Sequence, residues 1–371
     1  MLSVKAKAKN IPPERTLVVP DFVERIYLPW VEEHKRPSTL KSYQDIWKAH
    51  LKPILVRDRV LLRDVRTSTV QNWLNQIGQQ DLSKNSLKRI QSLISGIFSK
   101  AKQLDYYEKV NPVQNTEVNP KAADPQETCA YSLDEEEAML RVFPEPAATV
   151  FAVAAYAGLR RGEITGLDWS DWREDEDSPF GALWVSRSVW NGHVGEPKTK
   201  KSKAPVPVIP QLAKRLAMYR ERCGSPAEGP MFANTLGGRM HLNNLLRRVM
   251  LPALNRCRQC GGREGKSHLR QDHAYERDTR IPQWHGWHAA RRGLGTNLYH
   301  LGVSDKVIQR ILRHSNVNVT MSYYVKPMDA DVLSAMAKLE QNVAERTAAQ
   351  ALRDSDGTVN PPSGATPDLV N

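Results

Sequence analysis

Between residues 111 and 131 the chain loses every regular pattern: Asn, Thr and Ala fill the stretch, and Pro112, Pro120 and Pro125 bar a helix from crossing it. A single hydrophobic core does not extend through such a segment. It reads as a linker, 111–131, with a separate unit on either side. A chain of 371 residues agrees, because domains run to roughly 100–200 residues, and 40% hydrophobic content is enough to fill two cores.

Before the linker, residues 18–110 read as a bundle of amphipathic helices. Phe22, Ile26, Tyr27, Trp30 and Val31 recur at helical spacing, and a run from Ser38 carries Leu40, Tyr43, Ile46 and Trp47. A third run begins near Ser68 and a fourth near Ser83. The fourth sets Lys88, Arg89, Lys100 and Lys102 around a stripe of Leu87, Ile90, Leu93, Ile94 and Ile97; those charges suit a solvated face and a phosphate-contacting face equally. After the linker, Ser132 with Glu135 predicts a capping box. An apolar helix over 147–157 ends at Gly158. Short β runs at 182–190 and 203–208 follow, with the turn signal Asn191-Gly192 between them. Helices resume at 211–221, 242–256, 288–301 and 304–313, and a last one over 329–354 presents Val332, Leu333, Met336, Leu339 and Val343 on one side. Residues 355–371 have little to bury and read as a disordered tail.

Fifty-three Lys and Arg against 41 Asp and Glu give a net charge of +12, which makes a polyanion the leading partner. Residues 1–17 form a basic tail in which Lys5, Lys7 and Lys9 precede no apolar run, so a secretory signal is not expected. No stretch approaches the roughly 20 apolar residues of a membrane span. Four cysteines are too few for a disulfide scaffold, which fits a reducing compartment; a soluble, cytoplasmic protein is expected.

Three short motifs stand out. Gly158-Leu159-Arg160-Arg161-Gly162-Glu163 lies where one helix ends and the next begins. His288-Ala289-Ala290-Arg291 puts a histidine and an arginine on one helix face. Leu312-Arg313-His314-Ser315-Asn316 is followed by Tyr323, nine residues after His314. Each taken alone has an ordinary explanation: a surface ion pair with Glu163, a chance polar face, an aromatic packed beside Tyr324. Taken in order, Arg160, His288-x-x-Arg291, His314 and Tyr323 resemble the tyrosine recombinases, the phage and transposon integrases, over residues 18–328.

That resemblance implies a mainly α fold of the tyrosine recombinase type: an N-terminal helical core-binding (SAM-like) domain over 18–110, and an α-rich catalytic domain over 132–328 with a small antiparallel β-sheet. It implies a lysine on a β-hairpin between the arginine motifs. Lys198 aligns best, with Lys200, Lys201 and Lys203 as rivals. It also implies double-stranded DNA at recombination sites as partner, assembly into a tetramer on DNA, no cofactor for catalysis, and a C-terminal helix able to dock on a neighbouring protomer. The biological task would be integration or excision of a mobile element. Alternatives are a type IB topoisomerase-like enzyme and a DNA-binding regulator without catalysis.

The residue types suit such chemistry. A phenol with a pKa of about 10 needs its proton removed before it can attack a phosphodiester. His288 can assist, making Tyr323 the nucleophile. Arg160 and Arg291 match the charge building on non-bridging oxygens, His314 adds a hydrogen bond, and Lys198 can protonate the leaving 5′ oxygen. Glu163 reads as an orienter of Arg160 or His288.

Three features depart from the family pattern. Ala290 stands where Leu is frequent and Arg313 where Gly commonly precedes the histidine; both read as packing changes that leave the chemistry intact. The start of the chain offers only a basic tail, so either a separate arm-site-binding domain is not expected or the sequence begins downstream of one. The third departure is an insertion, 257–273, in which Cys257, Cys260, His268 and His273 have the ligand types and close spacing of a structural zinc knuckle.

Overall fold

Ser83 opens the helix Lys84–Gln103 because its hydroxyl accepts the Ser86 N–H at 3.3 Å, satisfying one of the donors a helix start leaves open. The helix buries Leu87, Ile90, Leu93, Ile94, Ile97 and Phe98 on one stripe, as its periodicity predicts. Lys88, Arg89 and Lys102 are exposed, while the Lys100 ammonium sits over the Trp30 ring, 4.4 Å from its centroid.

In this computed structural model the described residues are 16–124, 128–174, 180–197, 203–265, 268, 272–313 and 330–356, divided between a unit Met1–Glu127 and a unit Thr128–Asn371. The core of the first unit is built on Phe22, Trp47 and Trp73. Two of its helical runs are less regular than their periodicity implies. Val19–Phe22 and Leu28–His34 are joined by a π-helical segment, Val23–Tyr27, and Pro37–Ile46 and Lys52–Asp58 by another, Trp47–Leu51. Thr67–Ile77 completes the set before Lys84–Gln103. The proline-containing stretch after it carries no helix, yet residues 111–124 are fastened to this unit. Gln91 Nε2 donates to the Thr116 carbonyl at 2.9 Å, the Glu117 N–H to Gln71 Oε1 at 2.9 Å, and Asn119 Nδ2 to the Gly78 carbonyl at 3.2 Å.

The second unit begins with the expected capping box: the Glu135 N–H reaches Ser132 Oγ at 3.2 Å and the Ser132 N–H reaches Glu135 Oε2 at 2.8 Å, starting Leu133–Val142. The helix Ala147–Tyr156 is buried at every residue, which explains why its sequence is apolar all round. Strands β1 (Trp172–Arg173), β2 (Gly181–Trp184) and β5 (Pro205–Val208) form an antiparallel sheet in the order β1-β2-β5, with Gly181 opposite Val208 and Trp184 opposite Pro205. Strands β3 (Ser188–Trp190) and β4 (His193–Gly195) form a separate hairpin around Asn191 and Gly192, whose φ of 46° and 80° suit the tight two-residue turn that pair signals. The single run read over 182–190 is therefore two strands in different sheets. Between the two strands the Arg187 guanidinium pairs with both Asp168 and Asp171.

Helices Pro210–Arg222, Trp287–His300 and Asp305–Ile311 follow, and the run over 242–256 resolves into Leu242–Leu245, a π-helical segment Leu246–Met250 and Leu251–Leu254. The last helix, Ala330–Asp356, lays Val332, Met336, Leu339 and Val343 into the core of its own unit, with Gln211 Nε2 donating to Glu340 Oε1 at 3.1 Å and Arg346 paired with Asp134. No described helix is long and apolar enough to cross a membrane.

Candidate active site

Gly158 terminates the buried helix Ala147–Tyr156 in the left-handed region, φ +60°, where a Cβ would lie 2.8 Å from Leu294 Cδ2 and 3.1 Å from Leu312 Cδ2. Only glycine fits both the conformation and the space. The chain then turns into the helix Arg161–Gly166 with Arg160 as its N-cap. Glu163, at the third helical position, turns back and accepts the Arg160 N–H on Oε2 at 2.9 Å and the Arg160 guanidinium on Oε1 at 2.8 Å. Local helix-start geometry thus aims Arg160, which is partly exposed, while Glu163 is only 1% exposed.

Arg313 reaches the same carboxylate from 150 positions away, donating to Glu163 Oε2 at 2.8 Å. It is buried, 5% exposed, and its backbone is left-handed at φ 52°. Burial by itself would raise the Glu163 pKa. The charge of Arg313 and the two hydrogen bonds from Arg160 outweigh it and hold the carboxyl below its ordinary value. Arg313 is therefore more than the packing change its place in the motif implied: it is the buried arm of an Arg160–Glu163–Arg313 triad whose other arm, Arg160, stays partly exposed. The residue type was visible in the sequence, as a bulky cation where the family pattern has glycine; its partner was not.

The helix Trp287–His300 carries the other motif. Ala289 and Ala290 are buried, Arg291 is 3% exposed, and His288 stays exposed. The Arg291 guanidinium forks between two carbonyls, those of Gly158 and Leu312, so the ends of two other segments fix its orientation. No carboxylate pairs with it among the described residues. Burial, with Arg160 and Arg313 close by, holds Arg291 down to about 9. A cation whose charge is this poorly compensated is suited to an anion, and a phosphate oxygen would reverse the shift. His288 is also held below its ordinary pKa, first by partial desolvation and then by the charges of Arg291, Arg292 and Arg160, all of which favour the neutral imidazole.

Beneath this site, Arg239 donates to the Thr165 and Leu167 carbonyls at 3.1 and 3.2 Å and to Asp168 Oδ1 at 2.7 Å, locking the end of the helix that Arg160 begins.

Of the residues expected from sequence, Arg160, Glu163, His288 and Arg291 are described, and the interactions above draw them into one electrostatic neighbourhood. Lys198, His314 and Tyr323 lie outside the described residues, as do the rivals Lys200 and Lys201. The remaining rival, Lys203, is engaged with Glu196 at 2.6 Å. Cys257, Cys260, His268 and His273 form a second cluster, their ligand atoms all within 4.8 Å of one another.

A profile of the Phage integrase family matches residues 132–330, more than half of the chain. A protein described as tyrosine recombinase XerC-like from Caldanaerobacter subterraneus subsp. tengcongensis is 22% identical over 339 residues, covering 83% of this chain and 79% of that protein. A tyrosine recombinase from Pseudothermotoga lettingae is 24% identical over 300 residues, covering 77% and 87%. Among solved structures, the Tn1549 transposon integrase in complex with transposon right end DNA superposes with a TM-score of 0.57 at 16% identity, over 91% of this chain and all of that one. A lambda integrase tetramer bound to a Holliday junction gives 0.54 at 18% identity, over 87% and 86%. With the arginine triad and the His288-x-x-Arg291 helix in place, these findings assign the protein: the chain belongs to the phage integrase family and is a site-specific recombinase of the tyrosine type.

Proposed function

We propose that this recombinase cleaves and rejoins double-stranded DNA through a 3′-phosphotyrosyl link to Tyr323, in the integration or excision of a mobile element. The observation that carries the reading is the convergence of Arg160 and Arg291 beside His288, with Arg160 aimed by a buried carboxylate and Arg291 left without one among the described residues.

In the proposed reaction the Tyr323 oxygen attacks a backbone phosphorus and its proton passes to the neutral His288 imidazole. Negative charge builds on the non-bridging oxygens, where Arg160 and Arg291 stabilise it with preorganised donors, and His314 contributes a further hydrogen bond. The P–O bond to the 5′ oxygen breaks and Lys198 supplies the proton for that leaving group. One phosphodiester becomes one phosphotyrosyl ester and one 5′ hydroxyl. Bond energy is conserved, and attack by a hydroxyl from another strand reverses the step with no nucleotide or catalytic metal consumed. Glu163 is a positioning residue, acting through Arg160. The net charge of +12 suits a DNA partner. The lambda integrase tetramer on a Holliday junction supports a tetrameric assembly for this chain as well.

Incubating the full chain with duplex DNA that carries its recombination site and a nick placed to let the short fragment bearing the freed 5′ hydroxyl diffuse away tests the reading. Wild type is expected to accumulate a protein–DNA adduct stable to denaturant, and Tyr323→Phe none. Equal adduct in both would overturn it.

A further inference from the structure

The cluster outside the active site has a geometry of its own. Cys257 and Cys260 sit on a tight loop closed by reciprocal backbone bonds: the Cys257 N–H donates to the Gly262 carbonyl at 2.8 Å and the Gly261 N–H to the Cys257 carbonyl at 2.9 Å. Gly261 makes the reversal at φ +67°, and the Gly262 N–H points at Cys260 Sγ at 3.4 Å, as a donor to a metal-bound thiolate would. The loop is anchored on both sides. Arg256 bridges to Arg263, Cys257 bridges to Arg277, and the Arg258 and Asp278 N–H groups reach the Glu276 and Arg256 carbonyls at 2.8 Å. Those anchors set the two thiols facing two imidazoles that arrive later in the chain.

His273 Nε2 lies 3.4 Å from Cys257 Sγ, and its other ring nitrogen, Nδ1, lies 2.9 Å from the Asp272 carboxylate. A carboxylate behind a histidine is the usual way a metal ligand has its ring orientation and tautomer fixed. His268 Nδ1 lies 3.8 Å from Cys260 Sγ, its ring packs edge-on to His273 with centroids 4.9 Å apart, and its Nε2 is buried without a hydrogen-bond partner among the described residues. A tetrahedral zinc ion with Zn–S near 2.3 Å and Zn–N near 2.0 Å requires ligand-to-ligand edges of about 3.3–3.8 Å. Both thiol–imidazole separations meet that range, and the four donor atoms fall within 4.8 Å of one another, so ligation has to draw the widest pair in by only about 1 Å.

We infer that Cys257, Cys260, His268 and His273 hold one Zn²⁺ in a closed, structural S₂N₂ site. Two thiolates and two imidazoles are the donors zinc prefers, and four protein ligands leave no position open for water or substrate. The ion takes no part in phosphoryl transfer. It cross-links an insertion that lies in sequence between Leu251–Leu254 and Trp287–His300, the helix of His288 and Arg291. At its base the Arg277 guanidinium holds Asn255 Oδ1 at 3.1 Å and the Pro282 carbonyl at 3.0 Å. Zinc thereby makes a rigid block of a segment that, among its described residues, has almost no regular structure of its own.

The test is metal analysis of the full chain purified under reducing conditions without chelator. About one zinc per chain is expected, falling at least tenfold in Cys257→Ser and in His273→Ala. Replacement by Co²⁺ should give the visible absorption of a tetrahedral thiolate site. Asp272→Ala keeps all four ligands, so it should fold and bind zinc with an affinity lower by about 10–100-fold in a competition titration. Chelator added to the wild type should speed proteolysis between residues 255 and 286 by at least tenfold while the Tyr323 adduct assay is scored separately. Wild type that contains no zinc and takes up neither Zn²⁺ nor Co²⁺ would overturn the assignment, as would a Cys257–Cys260 disulfide in the reduced preparation or unchanged metal content in both ligand variants.

Discussion

Arg313 offers the sharpest quantitative test of the site's architecture, because two opposing effects act at one residue. Its guanidinium donates to the buried Glu163 carboxylate at 2.8 Å, and a hydrogen bond to a charged group contributes about 1.5–3 kcal/mol. Its backbone is held at φ 52°, a conformation that costs a residue with a Cβ about 1–2 kcal/mol. Arg313→Ala removes the hydrogen bond and keeps the strain, so it should destabilise by about 2–3 kcal/mol. Arg313→Gly removes both, and its loss should be smaller by about 1 kcal/mol. Glu163 keeps its two bonds from Arg160 in either variant, which holds the loss below the about 3–5 kcal/mol expected when a buried charge is left wholly unpaired. Urea denaturation of the full chains, followed by tryptophan fluorescence and compared through midpoints at constant slope, reads the difference. Glycine no better than alanine would refute the strain argument; both as stable as arginine would refute the triad.

Three further outcomes follow from the same geometry. In the proposed reaction His288 takes the Tyr323 proton, and its surroundings hold it below its ordinary pKa, so the cleavage rate should fall only as acid protonates the imidazole; a rate-limiting chemical step in His288→Gln should lack that acidic limb. Glu163 has a depressed pKa, so its contribution to stability is complete above about pH 4.5 and is lost as pH falls through the lower folded value; Glu163→Gln should remove this part of the acid dependence of the urea midpoint. Gly158→Ala meets both φ +60° and a contact at 2.8 Å, so it should destabilise by about 2–4 kcal/mol and slow cleavage by moving the carbonyl that orients Arg291; thermal melts and adduct yield check the two effects separately.

What the sequence disclosed was largely what is local. The helix Lys84–Gln103, the Ser132 and Glu135 capping box, the stop at Gly158 and the Asn191-Gly192 turn all depend on residues a few positions apart, and each was legible. The π-helical segments within three of the helical runs were not, since a slipped hydrogen-bond register leaves the apolar spacing almost unchanged. The split of the 182–190 run depends on distant partners, since Gly181–Trp184 pairs with Pro205–Val208 and Ser188–Trp190 with His193–Gly195. Arg313 shows the same limit at the active site: its left-handed backbone and its distant partner Glu163 are products of the fold, so the residue looked like a packing substitution. The Cys257 to His273 series lay between these cases, its ligand types readable and its convergence decided by anchors at Arg263 and Arg277.

Tyr323 is the proposed nucleophile toward DNA, and mass spectrometry of the trapped adduct after nuclease and trypsin digestion reads its identity. A nucleotide 3′-phosphate is expected on the tryptic peptide that begins at His314, with fragmentation placing it on Tyr323 and not on Tyr324. A nucleotide mapped to Tyr324, to a serine or to any peptide outside that one would contradict it.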